Sequence, residues 1–185
     1  MADTNTFARS LNDIGLATWF GGSLMGNVGL NGAASTATDP RERNSIAGAG
    51  WSRWTPVNLG AIVAHLAGGT VLTVANKGRV AGQQGVARIT LVRTALTGAA
   101  LAATAYARYL GQKQMDHADA PVDAATTPGP GTPDDVAGAQ RQQRIVQWSI
   151  PALTGVLLVL NAWMGEQQRP TEVASGVLNR VLPGR

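Results

Sequence analysis

Polar and apolar residues are segregated along this chain. Four windows, 14–34, 57–76, 87–109 and 146–165, are almost free of charge. A hydrocarbon core ~30 Å thick is crossed by ~20 mostly apolar helical residues, so each window predicts a transmembrane helix. The first, Ile14 to Ala34, is the least apolar and contains Ser23, Asn27 and Asn31. The second follows Pro56, which suits the first turn of a helix because its missing N–H costs nothing there. The third carries Arg88 and Arg93 in its first part, and the fourth contains the strongest apolar run, Ala152 to Leu160. A soluble bundle would show charges along the outer face of each helix. The second and fourth windows show none, so the expected fold is all-α: one domain, an integral membrane four-helix bundle.

The connections differ in character. Residues 35–55 hold a turn-like Asp39-Pro40-Arg41-Glu42-Arg43. They also hold Trp51-Ser52-Arg53-Trp54, which suits an interfacial anchor or a docking edge. The 77–86 connection is short and includes Lys77, Arg79 and Gly82. Residues 110–145 form a long acidic loop with Asp116, Asp119, Asp123, Asp134 and Asp135 and a run from Pro128 to Pro133. That composition predicts flexibility, although Asp134 or Asp135 could cap a helix leading into the fourth span. In the tail, 166–185, Val173, Val177, Val181 and their neighbours predict a short amphipathic helix on the membrane surface. The first window could also serve as the apolar region of a signal peptide. The flank Arg9 and Asp13 is a poor positive region for that purpose, which favours a retained span.

Charge and composition remove many functions. Only 14% of residues are charged, against about 25% in a typical soluble domain. The absence of cysteine excludes disulfides, thiolate metal sites and cysteine nucleophiles. The 15 basic residues are scattered among the connections, which argues against nucleic-acid binding. Lys and Arg divide evenly between the two sides of the membrane, so the positive-inside rule does not decide orientation. The cluster Lys77, Arg79 and Arg88, with the acidic loop opposite it, leans towards both termini in the cytoplasm and a plasma-membrane location. The sequence has no P-loop, dinucleotide fingerprint, zinc-protease motif or nucleophile elbow, so no enzymatic activity and no metal site are expected.

Between helices in lipid, packing depends on close backbone approach, which small residues permit. Gly22 and Gly26, with Gly29 beyond them, mark one such face on the first span. Gly60, Ala64 and Gly68 mark one on the second, and Ala95, Ala99 and Ala103 one on the third. Ser23, Asn27 and Asn31 recur every four residues and share a helix face. Polar groups at this depth need partners, so the ladder reads as an interhelical contact, with an ion path as the sharper alternative. His65 lies mid-span, where an ionisable group is a functional candidate. It reads as a neutral histidine bonded to a neighbouring helix, with no cofactor. The alternative is a haem or quinone site around His65, Asn27 and Asn31. His117, the only other histidine, falls in the acidic loop, which leaves a bis-histidine haem without its second ligand. Arg93 can snorkel to the interface or meet an anionic lipid headgroup such as cardiolipin. No carboxylate sits firmly inside a span, which weakens a transporter reading.

The run Thr18-Trp19-Phe20-Gly21-Gly22-Ser23-Leu24-Met25-Gly26-Asn27-Val28-Gly29-Leu30-Asn31-Gly32-Ala33 resembles a family of small actinobacterial membrane proteins. In length, four-span layout and composition the whole chain loosely resembles accessory subunits of the actinobacterial cytochrome bcc–aa3 respiratory supercomplex. The resemblance carries no catalytic motif. It implies a non-catalytic structural or assembly role within a hetero-oligomeric complex, packed against larger membrane subunits.

Overall fold

The structure is a computed structural model and describes residues 5–78 and 84–166. Arg79 and Gly82 of the short connection, and nearly all of the tail expected to form an amphipathic helix, lie outside the described residues. The chain is mostly helical. Helix α1 spans Thr6–Met25 and runs through a single π-helical stretch, Gly26–Leu30, into the short α2, Asn31–Ser35. Helices α3 (Pro40–Ala75), α4 (Gln84–Met115) and α5 (Asp134–Glu166) follow. A two-stranded antiparallel hairpin, β1 (Val122–Ala124) and β2 (Thr127–Pro128), lies between α4 and α5.

Three helices, α3, α4 and α5, are long and apolar enough to cross a membrane. The α1 segment is not among them, since its polar side chains lower its hydropathy. At 1.5 Å per residue α3 is about 54 Å long, well beyond a ~30 Å hydrocarbon core. The charged residues show where the excess lies. Exposed Arg53, Arg108 and Arg144 stand at one level. Lys77, Arg88 and Glu166 mark the other ends of the same helices, about 30–36 Å away. Between these levels most outward side chains are apolar, including Val57, Val63, Val71, Leu91, Val156 and Val159, and the exposed threonines Thr70, Thr73 and Thr94 return their hydroxyls to their own helix backbone.

The helices therefore exceed the windows 57–76, 87–109 and 146–165. Residues 40–55, expected in a loop, are helical. Asp39 caps α3 by accepting a 2.9 Å hydrogen bond from the Arg41 amide, and Pro40 occupies the first turn. Pro56 consequently lies inside α3 rather than at its start. The acidic loop is likewise shorter than 110–145. α4 continues to Met115 and α5 begins at Asp134, leaving a connector of residues 116–133 that contains the hairpin.

Side chains from distant helices order that connector despite its composition. Arg43 donates from Nη1 to the carbonyls of Asp123 (3.1 Å) and Val122 (3.3 Å). Buried Asn44 donates to the carbonyls of Gln114 and His117. From α5, Gln140 donates to Ala124 and Ala125, and Arg144 to Thr127. Ala34, Ala47 and Ala125 pack together beneath the hairpin.

α1 runs antiparallel to α3 and packs closely along it. α4 packs on α5, and α1 also meets α5, whereas α3 and α4 touch at few points. The shared core comprises Leu16, Trp19, Ile62, Ala100, Ile150 and Leu157. Backbone meets backbone where α1 crosses α3. A Cβ on Gly15 would stand 2.5 Å from the Ala61 carbonyl oxygen, and one on Gly68 would stand 2.6 Å from the Asn12 amide nitrogen.

Candidate functional site

Three polar assemblies lie within the helices. The first is built on the Ser23–Asn27–Asn31 ladder. Pro151 lies inside α5 and has no N–H, so the carbonyl of Gln147, four residues earlier, loses its helical donor. Asn27 Nδ2 donates to that carbonyl at 2.7 Å. Asn31 Nδ2 donates to Gln147 Oε1 at 2.9 Å, and Trp51 Nε1 donates to Asn31 Oδ1 at 2.9 Å. The π-helical stretch contains Asn27 and ends immediately before Asn31, and both side chains reach the same glutamine. Ser23, 4% exposed, faces inward on the same side. Asn27 and Asn31 thus tie the π-helical stretch and α2 to α3 and α5.

Trp51 and Trp54 are not peripheral anchors. The Trp54 ring lies over Gly22 and the Trp51 ring over Gly26, where any Cβ would collide with an indole. Gly22 and Gly26 are thus seats for tryptophan rather than points of backbone contact. The other small residues divide. Gly68 meets α1, and Ala103 packs against the core. Ala64 is half-buried. Gly29 meets only Met25 of its own helix, Gly60 faces open space, and Ala95 and Ala99 are exposed.

The second assembly surrounds His65, which is 3% exposed. Its Nδ1 lies 3.1 Å from the Asn12 carbonyl oxygen and 3.0 Å from Asn12 Nδ2, and its own carbonyl accepts from Asn12 Nδ2 at 2.7 Å. With Nδ1 protonated, the ring donates to the Asn12 carbonyl. Asn161 Nδ2 completes the group by donating to Asn12 Oδ1 and Asp13 Oδ1, each at 3.0 Å. Trp19 flanks the histidine ring at 6.4 Å between centroids, and its Nε1 donates to Thr104 Oγ1 on α4. Arg93 reaches towards this end, with Nη1 3.9 Å from Met164 Sδ and within Coulombic range of Asp13 and His65. Sequence reasoning singled out His65 but missed Asn12 and Asn161, which lie at or just outside the ends of the polar ladder and the apolar run.

The alternative of one site around His65, Asn27 and Asn31 is not what the fold assembles. Asn31 binds Trp51, which is fourteen residues from His65 along α3, or about 21 Å. Among the described residues no three His, Asp or Glu side chains converge in a metal-binding arrangement.

The third assembly is a cavity of about 360 Å³ between α3 and α4, where those helices stand apart. α1 and α5 form its back wall through Asn27, Gln143, Gln147 and Ile150, and the hairpin closes its upper end through Ala125. Its lower part is apolar (Leu59, Ile62, Leu101) and its upper part polar (Asn44, Gln114, Gln143). Exposed Leu59, Ala105 and Arg108 form the rim. Four polar atoms of lining residues are buried without a hydrogen-bond partner: Asn27 Oδ1, Trp54 Nε1, Asn58 Oδ1 and Gln143 Oε1. Searches of protein-family models, curated proteins and solved structures return no match to this chain.

Proposed function

We propose that this chain is a four-span, multi-pass protein of the plasma membrane, acting as a non-catalytic accessory or assembly subunit of a larger respiratory complex of the bcc–aa3 kind. The observation that carries the reading is the bare face of α4. Only 6% of its apolar window is buried within the chain. Ala95, Ala99 and Ala102 are exposed, and Gly98 has no side chain or foreign backbone above it. In lipid such small-residue faces favour close approach by another helix. Gly60 on α3 offers a second open position.

The fourth crossing is the α1 segment. It runs antiparallel to α3 from Ala8 beside Gly68 to Leu30 beside Gly50, so it traverses whatever α3 traverses. Its polar side chains do not oppose this, because Asn12 and Ser23 are buried against other helices. Polar side chains in a span are tolerated when they face the bundle. Arg93 lies inside the belt and suits a neighbouring subunit or an anionic lipid such as cardiolipin.

Affinity purification from native membranes tests the reading. Recovery with quinol-oxidising or oxygen-reducing subunits, lost on Ala99→Leu, is the expected result. Recovery as a free monomer would sink the proposal.

A further inference from the structure

We infer that the cavity between α3 and α4 is a binding site for a neutral amphiphile whose head carries hydroxyl donors, entering sideways from the bilayer. The inference is independent of any partner complex.

The four unpartnered atoms define the head. Buried polar atoms are normally hydrogen-bonded, and leaving one unsatisfied is costly. Here four cluster at one cavity, and Gln143 is only 5% exposed. Three are carbonyl-type acceptors and one is an indole donor. The Asn27 amide is fixed in orientation because its Nδ2 is committed to the Gln147 carbonyl, so Oδ1 must accept. A group that supplies O–H donors and accepts one N–H answers this set, whereas a carboxylate or phosphate, rich only in acceptors, would face acceptors. No Asp or Glu lines the cavity and its one cation, Arg108, is on the exposed rim. A cationic head therefore finds no counter-charge, and a neutral head is selected.

The walls define the tail. Leu59, Ile62, Leu101 and Ile150 continue the cavity downward below the level of Arg53 and Arg108, into the apolar belt. Its volume falls within the roughly 300–1,000 Å³ of small-molecule sites. It accommodates a head and the first part of a chain, and the remainder would leave between α3 and α4 into lipid. A diacylglycerol and a long-chain quinol share this chemistry.

The test uses the purified full-length chain in nanodiscs of zwitterionic lipid, titrated separately with dioleoylglycerol, decyl-ubiquinol and phosphatidic acid, with binding read by native mass spectrometry. Trp54→Phe removes the donor and keeps a ring over Gly22. Asn58→Leu removes an acceptor that has no hydrogen-bond partner within the chain. Gly111→Leu fills the cavity where a Cβ meets nothing within 4 Å. Saturable 1:1 binding of either hydroxylated probe is expected, weakened about three- to tenfold by each of the first two variants and abolished by the third. Binding of only one of the two names the source. Tighter binding of phosphatidic acid, or no saturable binding of either hydroxylated probe by a folded protein, overturns the inference. Binding unaffected by all three variants also overturns it.

Discussion

Asn27 on the α1 segment donates its amide, at 2.7 Å, to the one carbonyl of α5 that Pro151 deprives of a helical partner, that of Gln147. The asparagine replaces a missing backbone donor with a side chain from another helix. Asn27→Leu should therefore destabilise the bundle by about 1–3 kcal/mol, the cost of an unsatisfied buried acceptor. Pro151→Ala restores an N–H to the helix and should shrink that loss. A double-mutant cycle followed by detergent unfolding checks this, and additive effects would refute the compensation.

The crossing of α1 over α3 leaves no room at Gly15 or Gly68. Gly15→Val or Gly68→Val should cost about 1–3 kcal/mol through overpacking and should drive the two helices apart. Gly60→Val, in open space, should leave the isolated chain nearly unaffected. Thermal unfolding of the three variants in one detergent compares them directly.

The hairpin hangs on Arg43. Replacement by Met keeps the stem but removes the donors to Ala37, Val122 and Asp123. Amide hydrogen exchange in 120–128 should then accelerate by about tenfold or more, and proteolysis should begin in the connector. Unchanged protection would show that Gln140 and Arg144 suffice.

The lack of native cysteine makes topology directly measurable. Single cysteines at Thr6 and Lys77 should react with an impermeant maleimide from one side of the membrane, and those at Asp39 and Asp119 from the other. Labelling of Thr6→Cys and Asp39→Cys from the same side would show that the first segment does not cross.

The sequence makes some of this legible and hides the rest for physical reasons. Hydropathy marks the part of a helix that lipid must solvate, so it marks the apolar stretches of α3, α4 and α5 but not the polar ends of α3 and α5. The Asp39-Pro40 cap was in plain view, yet a window tuned to apolar length passes over it. The four-residue repeat of Ser23, Asn27 and Asn31 is legible in the sequence, because one face of one helix is a local property. Which carbonyl they meet depends on Pro151, more than a hundred residues away. Composition pointed the connector towards flexibility, because Arg43, Asn44, Gln140 and Arg144 hold it from outside its own length. Trp51 and Trp54 read as interfacial aromatics in the sequence because the glycines beneath their rings, Gly26 and Gly22, lie on another helix.

The hairpin also imposes an order on assembly. Its ties come from α3, made before it, and from α5, made after it, while α3 and α4 touch little by themselves. When the ribosome has finished α4, only α1 and α3 have a complete mutual interface. α4 acquires its main neighbour when α5 emerges, and the same event closes the connector. α5, the last of the described helices, thus completes both the bundle and the roof of the cavity, so a chain cut short before Gln140 would lack the cavity as well as α5.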